Sequence, residues 1–132
     1  MPDLAAWPAL ATIAALILYL ALSYQVGRMR RRHGVIAPST DGPPAFQRAF
    51  RVQANTLEQL VPFLAGLWLF ALFVSAGWAA APGALWVAGR SYYAFSYYRD
   101  PARRGPGFGM AAAATVTLLA GALVGAIRQL VS

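Results

Sequence analysis

The residues best able to do chemistry sit inside otherwise apolar stretches. Arg48, Arg51, Asn55 and Glu58 follow one another at steps of three, four and three. On a helix those steps put all four side chains on one face, while Gln53 lies off that line. A second set, Arg90, Tyr93 and Tyr97, also shares one helical face, and Arg104 follows in the next loop. Polar side chains within a membrane span are costly and turn toward a cavity or one another. The two stripes together offer several guanidinium groups, one carboxylate, one amide and two phenols. Arginine grips carboxylates with a bidentate fork, and Glu58 can accept from an ammonium group. The complementary ligand is small, zwitterionic and net negative, such as an amino acid or short peptide. Arg51 and Glu58 as a single buried pair would read as salt-bridging groups that hold the helices together; the full set on two stripes favours a site.

Other chemistries find little support. There is no cysteine, which excludes a disulfide, a thiolate metal site or a cysteine nucleophile. Any thiol must arrive with a ligand. His33 stands alone in a basic segment and reads as a solvated side chain, so no metal is expected. Trp7, Trp68, Trp78 and Trp86, with Tyr19 and Tyr24, read as interfacial or core residues.

These residues need a membrane-embedded scaffold to hold them. The chain of 132 residues is 59% hydrophobic and only 11% charged, too little polar surface for a soluble fold of this size. A helix needs about 20 apolar residues to cross the hydrocarbon. The expected architecture is all-α: one integral membrane four-helix bundle, a single domain over 1–132, with helices near 4–27, 44–76, 82–99 and 108–130. The N-terminus carries Asp3 where a signal peptide has a basic region, so the first segment reads as an uncleaved span. Pro43 and Pro44 suit a helix start. Pro62 lies inside the second helix and predicts a kink. Gly121 and Gly125 form a GxxxG that is equally an oligomer seam or close packing within one subunit.

All eleven basic residues are arginines and the net charge is +7. Most of them fall in loops and at helix ends, which argues against a nucleic-acid surface. Arg28, Arg30, Arg31 and Arg32 follow the first span, and Arg99, Arg103 and Arg104 follow the third. The turn between helices two and three has none. Positive charge accumulates on the cytoplasmic side, so both termini and that turn are expected outside. A small four-helix multidrug exporter would carry an essential carboxylate in its first helix, and this chain has none there.

The segments FQRAFRVQANTLEQLVPFL and GRSYYAFSYYRDPARRG, with SYQVGRMRR and TDGPPAFQR before them, resemble the MAPEG family, the membrane-associated proteins of eicosanoid and glutathione metabolism. The look is that of the leukotriene C synthase and microsomal glutathione transferase branch. The matching pattern is Arg51, Asn55, Glu58, Pro62, Phe63 and Leu64 in helix two, and Arg90, Tyr93 and Tyr97 in helix three. The resemblance implies a homotrimer with glutathione as co-substrate, bound between subunits near the cytoplasmic face. It implies that Arg51, Asn55, Glu58, Arg90, Tyr93 and Tyr97 bind glutathione and that Gln53 and Arg30 reach its outer carboxylate. It gives Arg104 the task of holding the thiol, and Arg31 that of assisting the electrophile. The implied activity is transfer of glutathione to a lipophilic electrophile, with glutathione peroxidase activity as a companion. The alternative is a non-enzymatic lipid- or glutathione-binding scaffold. The all-arginine basic set and minimal loops look bacterial, which would place the protein in an inner membrane in contact with lipids, xenobiotics or lipid peroxides.

Overall fold

A computed structural model describes residues 4–132, so Asp3, read above as an acidic N-terminal flank, lies outside the described residues. The described chain is helical: α1 (Ala6–His33), α2 (Pro44–Phe73), α3 (Ala80–Arg99), one 3₁₀ turn (Pro101–Arg103) and α4 (Gly105–Val131). Helices α1, α2 and the segment Pro101–Val131 are each long and apolar enough to cross a membrane. α3 is not as apolar, because Arg90, Arg99 and several tyrosines and serines lie along it.

The helix ends follow local chemistry. α1 runs past the expected 27 to His33, and its last turn is Arg30, Arg31, Arg32 and His33. Cations there complement the carbonyl-rich end of the helix. Gly34 stops it in the left-handed region at φ 67°, donating its N–H to the Arg30 carbonyl; a glycine takes that conformation without strain. α2 starts at Pro44, where the missing N–H costs nothing. It is helical through Pro62 and ends at Phe73, a little short of the expected 76. α3 and α4 begin earlier than expected, at Ala80 and Gly105. Asp100 is extended, and its side chain accepts from the Ala102 N–H at 3.0 Å. That small motif turns the chain from α3 into α4.

Helix α1 packs on α2 and α3, and α4 also packs on α2 and α3. The order around the bundle is therefore α1, α2, α4, α3. One end gathers the α1–α2 and α3–α4 loops and most of the arginines. The other holds the start of α1, the α2–α3 turn and the end of α4.

The core centres on Phe63 of α2, stacked on Trp86 of α3 with ring centroids 4.3 Å apart. Leu60, Leu67, Ala15, Ala111, Ala114 and Leu118 close around the pair. In lipid, close packing rather than the hydrophobic effect holds helices together, so small residues at crossings matter. A Cβ on Gly107 would come within 2.5 Å of the Tyr93 backbone nitrogen, and one on Gly89 within 2.9 Å of the Ala111 nitrogen. These two glycines bring α3 and α4 into near-backbone contact beside Tyr93. The GxxxG of α4 is used the same way: added Cβ atoms would meet the Phe70 ring at 2.6 Å from Gly121 and the Phe73 carbonyl at 2.5 Å from Gly125. It is a seam between α4 and α2 of one subunit.

Candidate functional site

Three helices converge on a polar cavity of about 240 Å³ lined by Asn55, Glu58 and Gln59 of α2, Arg90 and Tyr93 of α3, and Arg104 and Phe108 at the start of α4. Each side chain is placed by its helix. Asn55 and Glu58 are one turn apart on α2 and so face the same way. Tyr93 is pressed against α4 at Gly107, which holds its ring in the floor. Arg104 stands immediately before α4, with Nη1 donating to the Pro101 carbonyl at 2.8 Å. Its position follows from the short turn that Asp100 and Pro101 build.

Two contacts define the floor. Asn55 Nδ2 donates to the Tyr93 hydroxyl at 2.8 Å. The Arg90 guanidinium lies 4.1 Å from the Tyr93 ring centroid. Arg90 is 1% exposed, and none of its three side-chain nitrogens has a hydrogen-bond partner among the described residues. A buried cation of that kind calls for an anion or a π-face; Tyr93 supplies the π-face, and the cavity is open to supply the anion. Tyr97 sits beside Tyr93, ring centroids 5.6 Å apart, half-buried in the same cluster.

Of the residues singled out from sequence, Asn55, Glu58, Arg90, Tyr93 and Arg104 are brought together, with Tyr97 adjacent. Arg51 lies on the exposed face of α2 outside the cavity. Gln53 points to the opposite side of α2, where Nε2 donates to the Ser23 hydroxyl of α1 at 3.2 Å. Arg30 packs over the Phe46 ring at 5.1 Å and donates to the Ser39 carbonyl at 2.6 Å. Arg31 lies 5.9 Å from the Tyr24 ring centroid. The expected set thus divides within one chain into a cavity on the α2–α3–α4 side and a basic flank on the α1–α2 side.

Arg48 departs from the stripe to which its spacing assigned it. Its Nη1 donates to the carbonyls of Tyr98 and Arg99 at 3.2 and 3.3 Å. The free carbonyls at the end of α3 attract the cation and hold it there. Among the described residues no arginine pairs with a carboxylate, and Arg51 and Glu58, two turns apart on α2, are too far along the helix to pair directly. Gln59 and Phe108 were not anticipated. Gln59 neighbours Glu58 and turns toward α3 and α4 only once the bundle order is known. Phe108 carries no polar signal at all.

Comparison with known proteins finds relatives over most of the chain. The MAPEG family pattern matches residues 8–124. An uncharacterized Synechocystis protein is 47% identical over 94% of this chain and 90% of its own length. Leukotriene C4 synthase of Cavia porcellus is 38% identical over 76% of this chain and 67% of its own length. Human microsomal glutathione S-transferase 2 is 35% identical over 68% of this chain, which spans 60% of that protein. With the family pattern covering nearly all of the four helices and the cavity residues among them, this chain belongs to the MAPEG family and is a membrane protein.

Proposed function

We propose that this protein is a membrane-bound glutathione transferase. The observation that carries the reading is the meeting of Asn55, Glu58, Arg90, Tyr93 and Arg104 in one polar cavity from three different helices. Glutathione has two carboxylates, one ammonium group and one thiol. Glu58 accepts from the ammonium. Arg51 and Arg90 face carboxylate charge, while Asn55, Tyr93 and Tyr97 orient the backbone of the peptide. A free thiol of pKa about 8.5 is mostly protonated at neutral pH, and an adjacent cation favours the thiolate. Arg104 is the cation assigned to that task. The thiol proton leaves to solvent. The thiolate then attacks an electrophilic carbon, forming a C–S bond as the leaving group departs or a conjugated double bond takes the electrons. A hydroperoxide oxygen is a second acceptor: the S–O bond forms as the O–O bond breaks, the departing alkoxide takes a proton from solvent, and a second glutathione converts the sulfenic acid to the disulfide and water. No protein nucleophile or metal is required.

The same reading assigns a homotrimer. Arg51 and Glu58 are exposed on α2, and a charge left facing hydrocarbon costs at least about 2.5 kcal/mol. A second copy that covers this face removes the cost. It also presents its own Gln53, Arg30 and Arg31, which lie on the far side of α2, to the cavity of its neighbour. The arginine-rich end faces the cytoplasm under the positive-inside rule, which makes glutathione accessible and leaves both termini outside.

Calorimetric titration of the detergent-purified protein with glutathione tests the proposal, followed by a panel of lipophilic electrophiles. Saturable binding with conjugate formation supports it. Binding without turnover on any electrophile favours the scaffold reading, and absence of binding overturns both.

A further inference from the structure

On the side of the bundle opposite the α2–α4 pair, a seam lies open between α1 and α3. Near the arginine-rich end this seam holds two adjoining cavities of about 220 and 370 Å³ that share Gln25 and Tyr98. The walls of the first are apolar, with Leu18 and Leu22 from α1 and Phe95 from α3. The second ends at Arg48. From Leu18 to Gln25 the seam runs about 10 Å along the helix axis, within the depth of one leaflet, about 15 Å.

Two polar groups at its closed end lack a partner suited to them. The Tyr98 hydroxyl is buried and makes no hydrogen bond among the described residues, a costly state for a phenol. Arg48 uses only Nη1, on the Tyr98 and Arg99 carbonyls, which leaves Nε and Nη2 for an acceptor and its charge without a counter-ion. The one acid beside the α3 terminus, Asp100, is turned to the Ala102 N–H. The surrounding charge is cationic, from Arg28 at the end of α1 to Arg99.

We propose that this seam is a binding site for an anionic phospholipid from the leaflet at the arginine-rich end. Its phosphate accepts hydrogen bonds from Arg48 and the Tyr98 hydroxyl, and one acyl chain lies along Leu18, Leu22 and Phe95. The charge of the end group selects an acidic headgroup, and the apolar floor selects a chain lying parallel to the helices. The site is separate from the polar cavity and does not depend on the glutathione reading. Bound there, the lipid would bridge α1 and α3 and tie both to the start of α2 through Arg48.

The test reconstitutes the full chain into nanodiscs of phosphatidylcholine doped with phosphatidylglycerol, then extracts it into mild detergent for native mass spectrometry. The wild type is expected to retain phosphatidylglycerol at one copy per chain, in preference to phosphatidylcholine. Ala21→Trp fills the seam from its exposed rim, and Tyr98→Phe removes only the hydroxyl. Each should lower phosphatidylglycerol retention roughly tenfold, the usual weight of one charge-assisted bond, with glutathione affinity unchanged. If Ala21→Trp fails to assemble, Tyr98→Phe decides. Equal retention of both lipids by the wild type, retention of free fatty acid instead, or full phosphatidylglycerol retention by Tyr98→Phe would overturn the proposal.

Discussion

Asn55 and Tyr93 join α2 to α3 through a 2.8 Å hydrogen bond at the floor of the polar cavity, and Tyr93 is at the same time pinned from behind by the backbone of α4 at Gly107. One tyrosine thus carries both the packing of three helices and the shape of the cavity. Substitutions at Tyr93 and Gly107 separate those two tasks.

Removing the bond should be mild for stability and severe for the ligand. A neutral hydrogen bond is worth about 0.5–1.5 kcal/mol, and in membrane bundles the mean is about 0.6. Tyr93→Phe should therefore lower the thermal midpoint in detergent only slightly. Glutathione affinity should fall about tenfold, because the unpaired Asn55 amide no longer has a fixed direction. A thermal-shift assay alongside calorimetry measures both.

Gly107→Ala should do the reverse. Its Cβ would sit 2.5 Å from the Tyr93 nitrogen, which is backbone and cannot swing aside. Forcing α3 and α4 apart costs about 1–3 kcal/mol, and the thermal midpoint should drop accordingly. Gly109→Ala, whose Cβ meets nothing within 4 Å, is the control and should leave the midpoint unchanged.

Much of this arrangement could be read from residue types and spacing. The interval from Asn55 to Glu58 and that from Arg90 to Tyr93 are helical steps, and each interval does put its pair into one cavity. Periodicity failed where a helix end intervened. Arg48 has the right step, but the free carbonyls of Tyr98 and Arg99 compete for it. Arg51 and Glu58 show the limit of a one-chain reading: they share a helix face, yet Glu58 lines the cavity while Arg51 stays exposed outside it. Helix bounds missed by a few residues for similar reasons. The arginines after Val26 looked like a loop, yet as the last turn of α1 they stabilise the helix. Gly121 and Gly125 could not be assigned to an oligomer or a subunit until the Phe70 and Phe73 contacts were known.

The proposed orientation predicts one-sided labelling. Cysteine placed at Ser39, in the α1–α2 loop, should react with a membrane-impermeant maleimide only from the cytoplasmic side. Cysteine placed at Ala81, near the start of α3, should react only from outside. The opposite pattern would invert the topology and remove the cavity from the cytoplasmic face.

Charge removal on α2 tests the outward-facing pair. Loss of a charge-assisted partner costs about 1.5–3 kcal/mol, so Arg51→Ala and Glu58→Ala should each weaken glutathione binding by roughly ten- to a hundred-fold. Under the shared-site reading the wild type should also be trimeric by native mass spectrometry, and a stable monomer that binds glutathione would refute a site built between subunits.

The central claim is that the cavity turns a bound thiol into a thiolate, and Arg104 is the group assigned to do it. The most direct measurement is the ultraviolet thiolate absorbance of glutathione bound to the detergent-purified protein near neutral pH, compared between wild type and Arg104→Ala at saturating glutathione. The account predicts a clear thiolate band for the wild type. For Arg104→Ala it predicts a band reduced several-fold, with conjugation rate falling in parallel and affinity falling less. Full thiolate absorbance and full turnover in Arg104→Ala, or a wild type that binds glutathione and never forms thiolate, would contradict it.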